Sequence, residues 1–181
     1  GETVLVMGAS GGLGSAGVQV AKLLGATVIA GAGAAARVRA ALDVGADHGV
    51  DYRHEDLTAR VLALTQGRGV DVVFENIGDP QLFPQAFHAI ARNGRLVTAG
   101  AHGGGEVPLD IKRLYLYQIA VMGGLGFKPE DVTASLEAAA QGRYIALIDQ
   151  ILPLQRAGEA HERVASRAGV GKVILSPRAN P

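Results

Sequence analysis

The stretch "VLVMGASGGLGSAG", Val4 to Gly17, sets apolar residues ahead of Gly8, Gly11, Gly12, Gly14 and Gly17. Glycine at this density works against a helix, each one costing about 0.5–1 kcal/mol relative to alanine. Yet a helical period resumes at Gly14. Either this is a merely tight strand–helix turn, or backbone must come close to a ligand that side chains would obstruct. The order strand, Ala9-x-Gly11-x-x-Gly14, helix favours the second. In a dinucleotide site the first position makes the turn, the second admits a pyrophosphate and the third lets helix pack on strand. The phosphates then lie on unpaired N–H groups at the helix N-terminus, where the macrodipole favours anions. Ala9 in the first position weakens the fingerprint.

Outward from this turn, apolar runs alternate with helix-period segments. Strands are expected at Thr3–Met7, Thr27–Ala30, the short "HGVDY" piece, Val70–Glu75, Gly94–Gly100 after an Asn93-Gly94 turn, and "YQIAVMGG". Helices are expected at Gly14–Leu24, with Ala16, Val20, Leu23 and Leu24 inward, and at Ala34–Val44, Glu55–Leu64, Gln81–Ala91 and Pro129–Ala140. Continuous apolar strands between helices imply a parallel sheet covered on both faces. Right-handed crossovers make it an α/β, Rossmann-like doubly wound fold. Residues 1–151 are expected to form this dinucleotide-binding domain. The tail, 152–181, carries a helix over about Gln155–Arg167 and a strand at Lys172–Leu175, and is expected to stand apart from the main sheet.

With 181 residues, 48 % of them apolar and 19 % charged, the chain can bury a core. Zero formal net charge gives no reason to invoke nucleic acid or an anionic membrane, and no apolar run approaches the ~20 residues of a membrane span. Having no cysteine excludes disulfides, a thiolate nucleophile and Cys-ligated zinc. A cytoplasmic protein is expected. Gly1, not Met, opens the chain, so a piece of a longer polypeptide is expected too.

An NAD site usually places Asp or Glu about 20 residues beyond the glycines, on the ribose 2′-OH. No acid occurs between Glu2 and Asp43; the second strand runs into "AGAGAAARVRA" instead. Without a carboxylate a 2′-phosphate is not repelled, and the Arg37 guanidinium can grip one in a forked geometry. Arg37 as an exposed helix cation is the alternative, and Arg39, on another face, is expected to be solvated. NADP(H) is the favoured cofactor.

The segments "VLVMGASGGLGSAGVQVAKLLGATVIA", "GAD", "DYRHEDL", "TQGRGVDVVFENIG", "NGRLVTAGA" and "GKVIL" follow one another as in the medium-chain dehydrogenase/reductase superfamily. The chain most resembles its quinone oxidoreductase and enoyl reductase branch, and the resemblance covers nearly the whole length. It implies that the turn Ser10, Gly11, Gly12, Leu13 and Gly14 holds the pyrophosphate. It also implies that Gly33, Arg37 and Tyr52 surround the 2′-phosphate, with Arg37 where relatives commonly carry Lys. Tyr52 as a half-buried ring with its hydroxyl in water is the alternative. Asn76 is implied near the ribose or nicotinamide, and two loops, Gly100, Ala101 and His102, then Gly123, Gly124 and Leu125, along the nicotinamide. The resemblance further implies an N-terminal catalytic domain absent from this chain, a tail that returns to it, and a homodimer through an edge strand near 118–123. Without that domain, Val164, Val173, Ile174 and Leu175 must fold back, pair with a second molecule or stay mobile.

No catalytic side chain is assigned within these residues, because in hydride transfer the cofactor carries the chemistry. His102 suits a general acid or base; a solvated loop histidine is the alternative. The five histidines show no His-x-x-x-His spacing, so no metal site is expected. Ser10 lacks a Gly-x-Ser-x-Gly context, and no Tyr-x-x-x-Lys pair of the short-chain dehydrogenases occurs. The leading expectation is the NADP(H)-binding domain of a reductase acting on a quinone, enone or enoyl thioester, inactive by itself. The same domain from a zinc-dependent alcohol dehydrogenase, or a non-catalytic nucleotide-binding module, are the alternatives.

Overall fold

The computed structural model describes residues 1–178; the end of the expected tail, 179–181, lies outside the described residues. The main element is a six-stranded sheet in the order β3-β2-β1-β4-β5-β6, every pairing parallel. Its strands are β1 (Thr3–Met7), β2 (Thr27–Ala32), β3 (His48–Asp51), β4 (Val70–Glu75), β5 (Ile90–Thr98) and β6 (Ala120–Gly123). Between them run α1 (Gly12–Leu23), α2 (Ala35–Asp43), α3 (Leu57–Leu64), α4 (Leu82–His88) and α5 (Ile111–Leu116). Strand alternation sorts the core into two layers. Val4, Val6, Val28 and Ala30 face α1 and α2, while Leu5, Met7, Ile29, Val73 and Leu96 meet Leu57, Val61, Phe83 and Phe87 on the other face. Each large side chain buried there contributes about 1.5–3 kcal/mol.

This is the doubly wound fold that the sequence implies, with the strand order reversing between β1 and β4. Ligands of such sheets bind beyond the carboxyl ends at that point. Asp56 caps α3, its carboxylate accepting from the Ala59 amide at 2.8 Å, so this helix starts at Leu57 rather than Glu55.

Three expectations are corrected. Helix α4 stops at His88, and Ile90 already pairs with Val70 in the sheet. Asn93-Gly94 is therefore a bulge inside β5, with Asn93 at φ +61°, and not the turn preceding it. The strand expected from "YQIAVMGG" is confined to Ala120–Gly123, and α5, capped by Asp110, which accepts from the Arg113 amide at 2.9 Å, ends directly ahead of that stretch. The inward face of α1 consists of Gly14, Ser15, Val18 and Gln19, whereas Val20, Leu23 and Leu24 are 44 %, 40 % and 81 % exposed. Helix α1 is apolar on two sides. Its contact line follows the small residues, with Gly17 against the Phe74 ring. Leu13, Ala16, Val20 and Leu24 instead wall an open apolar groove of about 600 Å³ with Val4, Val72 and Phe74.

Beyond β6, α6 spans Pro129–Ala140 as expected, with only Ala138 buried. A second, two-stranded parallel sheet pairs β7 (Ile148–Pro153) with β8 (Lys172–Ser176); a 3₁₀ turn at Leu154–Arg156 and α7 (Ala157–Ala165) connect them. The tail stands apart from the main sheet, and it folds back on its own chain. Its sheet begins at Ile148, ahead of the boundary expected at Leu152. Buried Gln19 clamps the approach to it, accepting from the Ile145 amide at 2.7 Å and donating to the Ile145 carbonyl at 2.9 Å.

Candidate dinucleotide site

At the end of β1 the chain reverses through Gly8, at φ +62°, a conformation that side chains disfavour. The Gly11 amide donates to the Gly8 carbonyl at 3.0 Å, closing the turn. A Cβ on Gly14 would stand against that carbonyl oxygen, so glycine there sets how closely α1 approaches β1. Gly11 takes the N-cap position but has no side chain to cap with, and the first turn of α1 holds no acid. The amides of Gly12, Leu13 and Gly14 have no partner among the described residues. Free N–H groups converging at the positive end of a helix form an anion site.

The tail reaches this turn, a contact that no local pattern in the chain signals. Gly171 pairs with Gly11 in a parallel bridge, and its amide donates to the Ser10 carbonyl at 2.7 Å. The next side chain, Lys172, lies across the start of α1; its Nζ is 2.6 Å from where a Cβ on Gly12 would be. An ammonium against the positive end of a helix is unfavourable by itself. An anion between the two reverses the sign.

At the ends of β2 and β3, the Tyr52 ring covers buried Gly33, with Cε2 2.9 Å from where a Gly33 Cβ would stand. Burial pushes the Tyr52 phenol above its ordinary value, against the pull of the Arg37 and Arg53 guanidiniums. Both arginines therefore lie near it, Arg37 in the first turn of α2 and Arg53 directly after Tyr52. Neither makes an ion pair among the described residues, whereas Arg39 is exposed and paired with Asp43 at 2.9 Å. Asp51, opposite Ala32 in the sheet, turns its carboxylate into its own loop and accepts from the Arg53 amide at 3.2 Å. Its other oxygen lies 2.9 Å from His54 Nδ1.

The remaining candidates line the ends of β4, β5 and β6. Asn76 is 7 % exposed, and its side-chain amide donates to the Met7 carbonyl at 2.6 Å, bracing β1 against β4. The loop of Gly100, Ala101 and His102 leaves β5 beside the Asn76 backbone. His102 is exposed, and its carbonyl accepts from Arg167 at 3.2 Å. The Gly124 amide donates to the Thr98 carbonyl at 2.8 Å after Gly123 closes β6; Leu125 is fully exposed. All the candidates thus lie along one edge of the sheet. No cluster of three or more metal-ligating side chains occurs among the described residues. No helix among them is long and apolar enough to cross a membrane.

Residues 12–141 match the zinc-binding dehydrogenase family. Quinone oxidoreductase-like protein 2 of Bos taurus is 31 % identical over 97 % of this chain and 53 % of its own length. The crystal structure of an NAD-dependent alcohol dehydrogenase superposes with a TM-score of 0.91 at 36 % identity, over 97 % of this chain and 51 % of that one. Escherichia coli quinone oxidoreductase complexed with NADPH superposes at 0.87 with 29 % identity, over 97 % and 57 %. The chain spans about half the length of these relatives.

Proposed function

The chain belongs to the zinc-binding dehydrogenase family, as a cofactor-binding domain of the medium-chain dehydrogenase/reductase superfamily, and we propose that its cofactor is NADP(H). The reading extends to a cytoplasmic oxidoreductase that moves hydride between NADPH and a quinone, enone or enoyl thioester. The observation that carries it is the combination of amides at Gly12, Leu13 and Gly14 that are free among the described residues with an acid-free end of β2, where Tyr52 covers Gly33 and Arg37 has no ion-pair partner among the described residues.

The residues present fit such a ligand. The α1 amides and Lys172 Nζ would hold the two phosphates, Ser10 and Gly11 form the turn, and Arg37 would take the 2′-phosphate with Tyr52 beside it. Arg53 adds a second positive charge at the same end. The loops at Gly100–His102 and Gly123–Leu125 bound the redox end, with Asn76 fixing the floor between β1 and β4. When bound, the dinucleotide supplies the hydride; these side chains orient it and exclude water from one face. In the full-length protein a second domain closes the other wall and binds the small-molecule substrate. The open β6 edge, whose residues are all exposed, is where a homodimer forms.

A second reading, the same domain of an NAD-dependent alcohol dehydrogenase, draws on relatives of that description. It lacks the acidic residue at the end of β2 that would hold a ribose 2′-OH. Calorimetry separates the two: NADPH should bind more tightly than NADH, and Arg37→Ala should remove most of the difference. A charge-assisted contact of this kind contributes about 1–3 kcal/mol, roughly 5–150-fold in affinity. Equal affinities before mutation would overturn the assignment.

A further inference from the structure

Glu75 ends β4 and is 1 % exposed, yet no cation pairs with it among the described residues. A carboxylate placed so deep without a counter-charge is costly unless hydrogen bonds satisfy it. Here they do: two come from the loop after β4 and one from the last residue of β5. Oε1 accepts from the Ile77 amide at 2.8 Å and the Gly78 amide at 2.9 Å, and Oε2 accepts from the Thr98 hydroxyl at 3.3 Å. The two residues it holds then hold the next loop. The Ile77 carbonyl accepts from the Gly103 amide at 2.6 Å and the Gly78 carbonyl from the Gly105 amide at 3.2 Å.

We infer that Glu75 is a positioning residue for the redox end of the bound dinucleotide, acting through Ile77 and Gly78 on the loop 100–105 and touching no ligand itself. This rests on the dinucleotide reading above. The geometry separates it from a residue that merely fills the core. Its bonds reach only the loop after β4 and Thr98, the last residue of β5, and none reaches the glycine turn or the Arg37 end.

The test titrates this chain with NADPH and with 2′-phospho-ADP-ribose, which keeps both riboses and both phosphates and lacks only the nicotinamide ring. Wild type should bind NADPH the more tightly. Glu75→Ala should leave the fragment's affinity within about twofold while erasing the NADPH advantage, and should speed amide exchange at Gly103 and Gly105 by about tenfold, as loss of one hydrogen bond implies. Glu75→Gln, whose amide oxygen still accepts from both N–H groups, should restore both properties. If the alanine variant does not fold, Glu75→Asp, which draws the carboxylate back by one methylene, should show the same selective loss.

Equal losses for both ligands, or an NADPH advantage that survives Glu75→Ala, would overturn the inference. So would a wild-type chain that binds both ligands equally, although that leaves the phosphate site intact. Wild type binding neither ligand removes the dinucleotide reading, and this inference with it.

Discussion

Lys172→Met deletes a charge while keeping the length and the apolar stem of the side chain, and the structure gives its consequences opposite signs with and without ligand. In the free chain the ammonium lies over Gly12, against unsatisfied amides at the start of α1. A cation at that end of a helix is unfavourable by about 0.3–1 kcal/mol. The free variant should therefore gain that much stability, about 1–4 °C in Tm for a chain of this size. With a diphosphate bound, the same ammonium becomes a partner. A unit charge pair at 4 Å gives about 4 kcal/mol at an effective dielectric of 20, and screening of an exposed lysine reduces this to about 1–2 kcal/mol. Affinity should fall roughly 5–30-fold, by similar factors for NADPH, NADH and ADP-ribose, since all three carry the diphosphate. Thermal unfolding of the free variant and calorimetry with the three ligands read both effects. A variant that is less stable when free and binds all three as wild type does would show Lys172 to be only an anchor of β8, and the argument from opposed charges would fail.

Gly14→Ala places a methyl group against the Gly8 carbonyl and the Ala9 backbone, neither of which can swing aside; a loss of about 1–3 kcal/mol in urea denaturation, with weaker binding of every dinucleotide, is expected. Acid should loosen the tail. The Arg163 guanidinium, bonded to Asp149 at 2.8 Å, holds that carboxyl below its ordinary value against the effect of burial, with the Val170 amide assisting. Because the folded-state value is the lower one, its stabilising contribution is complete above the ordinary carboxylate value and is lost as pH falls through the depressed value. Amide exchange at Gly171 should accelerate over that range, and Asp149→Asn should exchange fast at every pH.

Much of the fold was legible because its signals are local. Four- to six-residue apolar runs between helical periods imply a parallel sheet, and an unbroken pattern from Thr3 to Gly17 sets β1, the turn and α1 in order. Failures occurred where a local signal has two meanings. Asn93-Gly94 is turn chemistry, but here a bulge uses the same positive φ inside a strand. Helix α1 carries apolar residues on two faces, and only the close approach of Gly17 to Phe74 decides which one is covered. In the candidate site, Gly11 to Gly14, Gly33, Arg37 and Tyr52 followed from spacing and resemblance. Lys172 did not, since nothing near it in the chain indicates that Gly171 returns to Ser10. The roles of Glu75 and Gln19 were hidden for the same reason: each acts on backbone that is remote in sequence or folded into an irregular loop.

The central claim, that the first amides of α1 grip a diphosphate, is tested most directly by titrating ¹⁵N-labelled protein with ADP-ribose and following backbone amide shifts. The amide protons of Gly12, Leu13 and Gly14 should move downfield together and saturate at one common Kd, as free N–H groups acquire a charged acceptor. Saturable binding with those three resonances unmoved, and the shifts gathered elsewhere on the surface, would contradict it.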